Sequence, residues 1–475
     1  MMPKGHALAT VATGTGLLLV AFLKARKLKR WFDFALRWTV AEAAAHYSRS
    51  HGRIVRLELC GATAYATTHA DLLKHIMLYK PNNYLLRPGE LWGLAEIGML
   101  SQGIIWNQDL AKFRHGRACF TKALRELRRG TEVAYGVAVQ WCASFDDAWQ
   151  QVDMMDAMGE LTVKVALPLF FGVDSDAMGR GQVRELRDAI KGYFEAWEFF
   201  LVKPCWYRHW DDIRSACGGA SRCEAARSKV ERVCRAVDAL LESTIKEQGA
   251  SSVFLDAIAD LGHEDRRQMC IELLLASADT SSVTLYYTLL LLAAHPALVE
   301  ELRAEAGAAF ADSGPAMEAT YEHGLPRMTA CLRESMRLKP VGPMILRTAV
   351  ADDEAVVGGK RLPVPAGTHF LLNLRDYHVD PAYFPNPLEV NLDRYSDPKQ
   401  DELFMPFGRG PKSCVGQFFA MREMKVILSQ VLQQLEFRTH DRLETVDTRW
   451  DIANHPISPA PFGVRRRWSA CLPDC

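Results

Sequence analysis

The sequence lacks a charge bias, internal repeats, low-complexity tracts and Gly/Ser-rich linkers. Its 57 basic residues balance its 57 acidic residues, which argues against a nucleic-acid partner and against a long disordered tail. The chain has 475 residues, 49% of them hydrophobic, so it can bury a large core. Because no linker divides residues 31–475, we expect them to form one large domain.

Disulfide and zinc patterns are also lacking. The twelve cysteines form no C-x-x-C pair and show no His/Cys spacing of a structural zinc site. The chain is far longer than the small secreted domains that depend on disulfides. We therefore expect mostly reduced thiols in a chain that faces the cytosol.

One uncharged stretch, ALATVATGTGLLLVAFL at residues 7–23, is at the short end of what can cross a bilayer. The basic run KARKLKRW follows it at once, and no clear small-x-small cleavage site precedes a mature start. A cleaved signal peptide is the alternative interpretation. The positive-inside rule favours an N-terminal membrane anchor with its basic flank at residues 1–30. The remaining chain would then lie on the cytosolic face of the endoplasmic reticulum membrane.

Long helical patterns dominate the rest of the sequence. Short β-like runs occur at residues 52–68, 344–350 and 356–373, where Gly and Pro mark the turns. The sequence therefore predicts a mainly α protein with small peripheral β-sheets.

The most hydrophobic internal stretch, residues 270–296, has the length of a second membrane span. Glu272 and Asp279 argue against a span, because carboxylates near a bilayer centre are costly. On an ideal helix one face would carry Glu272, Ala276, Asp279, Thr280 and Val283. The pattern predicts a long helix in a protein core, with a polar stripe that faces a cavity. A local capping or pairing role of Asp279 is the alternative.

The segment FMPFGRGPKSCVGQFFA, residues 404–420, places Cys414 in a Gly-rich loop directly before an apolar helical pattern. Unpaired N–H groups at a helix start and the positive end of its dipole favour a thiolate. A thiolate can be a nucleophile or a metal ligand, and no His base lies nearby in the sequence. A buried small hydrophobe is the alternative, but it does not account for the surrounding glycines and proline. Metal ligation is the preferred interpretation.

Cys414 belongs to the pattern F-x-x-G-x-x-x-C-x-G, which Phe407, Gly410, Cys414 and Gly416 fill. This pattern resembles the haem-binding signature of the cytochrome P450 monooxygenases. There the glycines let the backbone approach the porphyrin, and the aromatic ring shields one side of the sulfur. The resemblance implies a cytochrome P450 fold for residues 31–475, haem b as cofactor and Cys414 as the ligand of its iron. It also implies O2 as a substrate and NADPH-cytochrome P450 reductase as the electron donor.

Two further stretches resemble motifs of the same family. ESMR supplies Glu334 and Arg337, an i, i+3 pair that can meet on one helix face. LDRY supplies Arg394, which resembles the arginine that completes the family's buried Glu-Arg-Arg cluster. The resemblance implies a structural role for all three.

The helix predicted at 270–296 resembles the family's oxygen-activating helix. Its acid-alcohol pair is Asp279-Thr280. The resemblance implies that both residues are catalytic, with Thr280 in oxygen activation and Asp279 in proton delivery, and that Ala276 contacts the haem.

Within the family the likeness is to the aromatases, which convert androgens to oestrogens. It rests on ASADTSSV, on the segment after E-x-x-R, on the cysteine loop, and on residues 84–107 and 190–204; it covers residues 45–460. The resemblance implies haem-propionate contacts from Arg87, Arg117, Arg347 and Lys412. It also implies a steroid pocket formed by Arg87, Ile105, Trp106, Phe194, Trp197, Asp279, Val341, Leu346 and His455, where Arg87 and the Leu346 amide bind the D-ring ketone.

Four residues depart from the aromatase pattern. Ala278 stands in place of a proline before Asp279, Phe113 in place of a tryptophan, Lys412 in place of an arginine and Ala453 in place of a serine. Lys412 keeps the charge of an arginine but not its two-pronged hydrogen bonding. These departures leave monooxygenase chemistry intact and bear on the aromatisation step.

Two alternative functions and one candidate partner surface remain. A steroid or lipid hydroxylase that stops after oxygen insertion is the alternative enzyme, and a haem-binding sensor without turnover is the alternative of another class. The Asp279-Thr280 pair argues against a sensor, since passive haem binding needs no proton relay. Arg409, Lys412 and Lys425 are candidates for a reductase-docking patch, with a solvated face as the alternative.

Overall fold

The computed structural model describes residues 40–467 of the chain, apart from 60–61, 90–91, 128, 177, 203–210, 214, 247–251, 312–319, 322 and 451–452. The expected membrane anchor at residues 1–30 lies outside the described residues. Within the described part, no single helix is long and apolar enough to cross a membrane.

Helices dominate the described residues. In chain order they are α1 Val40–His51, α2 Ala70–Lys74, α3 Leu110–Glu126, α4 Gly130–Ala143, α5 Met154–Ala166, α6 Arg180–Val202, α7 Arg222–Lys246, α8 Val253–Ala257, α9 His263–Ala293, α10 Pro296–Ala311, α11 Pro326–Leu338, α12 Leu374–His378, α13 Pro398–Leu403 and α14 Gln417–Gln434. In the part of the chain that the structure describes, π turns occur at His75–Tyr79, Leu167–Phe171 and, inside α9, Leu275–Asp279. Short 3-10 helices are Pro81–Tyr84, Trp92–Ile97, Arg394–Ser396 and Gly410–Lys412.

The strands form small sheets at the periphery. They are β1 Ile54–Leu59, β2 Ala62–Thr67, β3 Gln150–Val152, β4 Met344–Thr348, β5 Asp353–Val357, β6 Lys360–Val364, β7 His369–Asn373, β8 Leu435–Arg438, β9 Thr448–Trp450, β10 Asn454–Pro456 and β11 Phe462–Arg466. The largest sheet has the order β1-β2-β7-β4, in which only β2 and β7 are parallel. The prediction of a mainly α fold with small sheets is confirmed, and strands occur in each of the three predicted runs.

Helix α9 runs through the core, as its composition predicts. It packs against α5, α10, α11 and α14, and residues 283–292 are all buried. Four of these are consecutive leucines, 289–292; burying each such side chain contributes about 1.5–3 kcal/mol. The stretch is therefore a core helix, and its polar residues lie among protein groups.

Glu334 on α11 joins the two expected arginines in a buried cluster. Its Oε1 atom lies 2.7 Å from Nε of Arg337 and 3.2 Å from Nε of Arg394. The two guanidinium groups also donate to the backbone carbonyls of Pro385, Asn386, Pro387, Glu389 and His378. Removing one partner of such a cluster costs about 3–5 kcal/mol, because a buried charge is left uncompensated. The cluster thereby holds the segment that leads to the cysteine loop.

Candidate active site

Cys414 lies in the loop between the 3-10 turn Gly410–Lys412 and α14. Its backbone N–H donates to the Phe407 carbonyl at 2.8 Å, which closes the loop on itself. Gly410 has φ +72°, and a Cβ there would lie 2.2 Å from the Met77 carbonyl oxygen. Both observations require glycine at this position. A Cβ at Gly416, by contrast, would meet no atom within 4 Å.

The Cys414 side chain is accessible because it faces an internal cavity, although protein surrounds the loop. Burial is the strongest influence on the thiol and raises its pKa, while the Gly416 N–H and the Arg117 charge oppose that effect. The expectation that the helix start favours the thiolate was therefore incomplete, because it counted the stabilising groups and not the burial. A bound cation would favour the thiolate directly.

A cavity of about 380 Å³ extends from Cys414 to the middle of α9. It brings together most of the site residues expected from the sequence: Arg87, Ile105, Trp106, Phe194, Trp197, Ala276, Thr280, Val341, Leu346, Arg347, Phe407, Lys412, Cys414 and Gly416. The indole rings of Trp106 and Trp197 form its far wall. They meet edge to face, with their ring centroids 6.1 Å apart. Phe194 stacks on Trp197 at 5.9 Å. This wall is rigid and apolar.

Several wall residues were not anticipated from the sequence. They are Phe120, Leu124, Phe170, Leu201, Leu273, Phe419 and Met424, with Glu198, Ser277, Ser281 and Thr284 as polar members. The apolar ones lie on helical faces whose periodicity is that of any core residue. No signal in the sequence distinguishes a cavity wall from packed interior.

Positive charges converge at the cysteine end of the cavity. Arg87, Arg347 and Lys412 line it; the charge of Arg87 lowers the pKa of both Arg347 and Lys412, and the charge of Arg347 lowers that of Lys412. Burial, followed by the neighbouring guanidinium groups, lowers the pKa of Lys412 to about 6. Among the described residues, Nζ of Lys412 has no hydrogen-bond partner. It lies 4.0 Å from the centre of the Phe113 ring, so two of the departures from the aromatase pattern are in contact.

These cations fit the haem that the resemblance implies. The Lys412 amine is buried without an acceptor beside two buried guanidinium groups, so its charged form requires an anion to neutralise it. Haem carries two propionates, and the open space at Gly416 and the accessible sulfur of Cys414 face the same cavity. Arg117 lies just outside: it donates to the Ser413 carbonyl at 2.9 Å and lines a surface groove.

Helix α9 widens into a π turn at Leu275–Asp279, although Ala278 stands where the aromatase pattern has a proline. Hydroxyl groups donate to backbone carbonyls in and beside this turn. Ser277 donates to the Leu273 carbonyl at 2.7 Å, and Thr280 donates to the Ala276 carbonyl at 2.6 Å. Ala276 and Thr280 line the cavity. The turn therefore forms without proline and presents its small residues to the site.

Asp279 and His455 contact each other rather than the cavity. Nε2 of His455 lies 2.9 Å from Oδ2 and 3.0 Å from Oδ1 of Asp279, and neither residue is among the described residues that line the cavity. The His455 ring meets the edge of Phe194 at 6.1 Å, behind the cavity wall. The expected single stripe is therefore divided: Ala276 and Thr280 line the cavity, whereas Asp279, about 100° from Thr280 around the helix, is directed to His455.

Glu272 performs a task that the sequence did not reveal. Its Oε2 atom accepts from the backbone N–H groups of Ile104 at 2.7 Å and Ile105 at 3.1 Å. Burial raises its pKa to about 7 against these hydrogen bonds. A Cβ at Gly103, where φ is +66°, would lie 2.3 Å from Oε1. Glu272 thus ties the wall segment around Ile105 to α9.

A second buried carboxyl lies on α14. Glu423 is 3% exposed, and neither of its oxygens has a hydrogen-bond partner among the described residues. Burial raises its pKa to about 8, and the nearby Ser281 hydroxyl opposes that effect without reaching standard hydrogen-bond geometry. Glu423 is therefore a neutral acid at pH 7 beside the helix that carries Thr280.

The surface next to the cysteine loop carries a basic groove of about 620 Å³ along α3. Arg114, Arg117, Lys122 and Arg125 line it together with Pro411. The expected docking patch was wrong for its two lysines: Lys425 is 3% exposed and donates to the Gly324 carbonyl, and Nζ of Lys412 is buried. The positive surface lies on α3 instead.

Comparison with known proteins extends these observations. The cytochrome P450 family model matches residues 31–460. The aromatase of Taeniopygia guttata is 29% identical over 444 residues, which cover 89% of this chain and 82% of that protein. The aromatase of Mus musculus is 29% identical over 435 residues (88% and 82%), and that of Gallus gallus is 28% identical over 439 residues (89% and 82%). The residues that the family model matches include all the described residues that line the cavity.

Proposed function

The chain belongs to the cytochrome P450 family, and from that premise we propose that it is a steroid monooxygenase whose specific reaction is the conversion of an androgen to an oestrogen. Family membership itself makes the chain a haem-dependent monooxygenase that takes electrons from a redox partner. The steroid substrate and the aromatisation are the proposal.

The haem would be held between the cysteine loop and α9. Cys414 would ligate its iron, with Phe407, Gly410 and Gly416 shaping the loop and Ala276 against the porphyrin. Arg87, Arg347 and Lys412 would neutralise the propionates, with Arg117 close to the Cys414 sulfur. When bound, the haem would activate O2 for insertion into a C–H bond.

The cavity wall supports a rigid, apolar substrate with few polar groups. Ile105, Trp106, Phe194, Trp197, Val341 and Leu346 provide the apolar surface, and burying a steroid against it needs only a few polar anchors. The Leu346 N–H lies on the outer side of the edge strand β4, because Thr348, two residues on, donates to Leu86 and not to β7. Arg87 and this N–H would bind a ketone of the substrate.

The observation that carries the proposal is the Asp279–His455 contact beside Thr280. Aromatisation follows successive oxidations of the C19 methyl group and its loss as formate, and it requires enolisation of the A ring. A carboxylate held 2.9 Å from an imidazole can take and release a proton at Oδ2. Thr280 would hold its hydroxyl toward the oxygen site, and Asp279 would supply protons.

One observation favours the alternative, a steroid or lipid hydroxylase without aromatisation. Asp279 faces His455 behind Phe194 and does not line the cavity. For enolisation its carboxylate, or His455, must reach the A ring when the substrate is bound. A hydroxylase needs only the wall, Thr280 and a supply of protons.

Titration of the haem-loaded enzyme with androstenedione tests the substrate class. A steroid bound beside the haem would shift the haem absorption band, and we expect saturation at micromolar steroid. No shift with androstenedione or testosterone, alongside a shift with fatty acids, would contradict a steroid substrate.

The partner and the location follow from the same proposal. NADPH-cytochrome P450 reductase would dock at the groove of Arg114, Arg117, Lys122 and Arg125, since an acidic partner surface suits this charge. The membrane anchor at residues 1–30 would hold the enzyme on the cytosolic face of the endoplasmic reticulum.

A further inference from the structure

We propose that Thr162 on α5 is a positioning residue of the active site: its hydroxyl holds the π turn of α9 open and thereby sets the orientations of Asp279 and Thr280. The inference rests on the proposed roles of those two residues.

The contact is direct and buried. Oγ1 of Thr162 lies 2.8 Å from the carbonyl oxygen of Ala278, inside the turn, and the residue is 0% exposed. The same oxygen lies 3.0 Å from the Met158 carbonyl and 3.2 Å from that of Gly159, both on its own helix. A threonine hydroxyl has one proton to donate, and the acceptor on α9 is the nearest of the three.

A π turn needs such a donor. It replaces i, i+4 bonding by i, i+5 bonding, so neighbouring carbonyls lose their regular partners. The hydroxyls of Ser277, Thr280 and Ser282 donate to carbonyls of α9 itself, at Leu273, Ala276 and Asp279. These three bonds move with the helix. Of the four hydroxyl groups, Thr162 alone joins the turn to another helix.

The register of the turn decides what faces the cavity. Thr280 lines the cavity while its neighbour Asp279 contacts His455. If the turn relaxed to a regular helix, the residues before and after it would rotate by about 100° relative to each other. In a regular helix, Glu272 could not accept from the N–H groups of Ile104 and Ile105 while Thr280 also faces the cavity. The structure at Ala278 carries no proline to prevent that relaxation.

The competing explanation is ordinary core packing. Buried threonines commonly donate to the carbonyl four residues earlier, which stabilises nothing beyond their own turn. Thr288 on α9 is a matched control, because it is also 0% exposed and its Oγ1 lies 2.8 Å from the Thr284 carbonyl of its own helix. A role limited to packing would make Thr162→Val and Thr288→Val equivalent.

Hydrogen exchange of the holoenzyme tests the turn without any substrate. Thr162→Val removes the donor and keeps the shape, and Thr162→Ala removes it without placing a methyl group against the carbonyl. We expect the amides of residues 275–280 to exchange about fivefold faster in either variant, the change for one lost hydrogen bond. Thr162→Ser and Thr288→Val should keep the wild-type rate in that segment. Equal rates in Thr162→Val and Thr288→Val would overturn the proposal.

Coupling of NADPH consumption to product provides the functional readout. Thr162→Val should divert several-fold more electrons to hydrogen peroxide, and Thr162→Ser should not. Adding Ala278→Pro should restore coupling, because a proline ring clashes with the carbonyl of Leu274 and opens the helix by itself. A double variant worse than Thr162→Val would contradict the proposal. Absence of steroid turnover would count against the proposed function alone, since the exchange result does not depend on it.

Discussion

The Nε2 atom of His455, on the short strand β10, lies 2.9 Å from Oδ2 of Asp279, at the end of the π turn in α9. These residues are 176 positions apart in the chain. Their contact holds the Asp279 carboxylate, next to Thr280, against the His455 imidazole. The pair lies behind Phe194, so this ring stands between it and the cavity.

Asp279→Asn tests the proton role of the carboxylate. The amide keeps the size but cannot take up a proton, so we expect turnover to fall by about 10²- to 10⁴-fold. The reduced carbon-monoxide absorption band should persist, because haem binding does not involve Asp279. Asp265→Asn, on the same helix but paired with Lys112 at the surface, is the control and should keep full turnover. Full turnover by Asp279→Asn as well would remove the carboxylate from the mechanism.

Glu423 predicts a distinctive dependence of stability on pH. Its pKa in the folded state is raised to about 8, above that of an unfolded glutamate, near 4.3. Between these values the unfolded chain loses a proton that the folded chain keeps, so this group lowers stability as pH rises. Glu423→Gln removes that loss. Between pH 5.5 and 7.5 the thermal midpoint of Glu423→Gln should rise relative to that of the wild type. The rise should be equivalent to about 2–3 kcal/mol in the free energy of unfolding. A difference that is constant with pH would show that Glu423 is ionised in the folded enzyme.

Lys412 predicts a change in haem retention. Lys412→Met keeps much of the side-chain volume over Phe113 but removes the charge, and a propionate would then lose a buried partner. We expect haem to transfer to apomyoglobin at least tenfold faster than from the wild type, and Lys412→Arg to transfer it at close to the wild-type rate. Lys122→Met, in the surface groove, is the control. Equal transfer rates for Lys412→Met and Lys122→Met would exclude a propionate contact.

The α3 groove predicts where the reductase binds. Reversing two exposed charges, Arg114→Glu with Arg125→Glu, should raise the KM for reductase at least tenfold at low salt, and the effect should shrink as salt screens the charges. The absorption shift caused by steroid should stay unchanged. If the reductase reduces the double variant as fast as the wild type, it docks elsewhere.

Local patterns in the sequence revealed the frame of the site but not its orientation. The cysteine loop and the buried helix α9 follow from spacing and apolar periodicity, which depend on neighbours along the chain, whereas the Glu334 cluster was expected from the family resemblance alone. The contact of Asp279 with His455 could not be foreseen, because it joins residues 176 positions apart, and neither could the contact of Thr162 with the carbonyl of Ala278. Burial of Lys412 and Lys425 was missed for a related reason: sequence shows a charge but not the helices packed around it.

The most direct test of the central claim is product analysis by mass spectrometry after incubation of the haem-loaded enzyme with androstenedione, NADPH-cytochrome P450 reductase, NADPH and O2. The proposed function predicts a phenolic oestrogen together with formate, preceded by C19-oxidised intermediates. Hydroxylated androgen that accumulates without any phenolic product would contradict aromatisation and leave the hydroxylase, and unchanged androstenedione would contradict both.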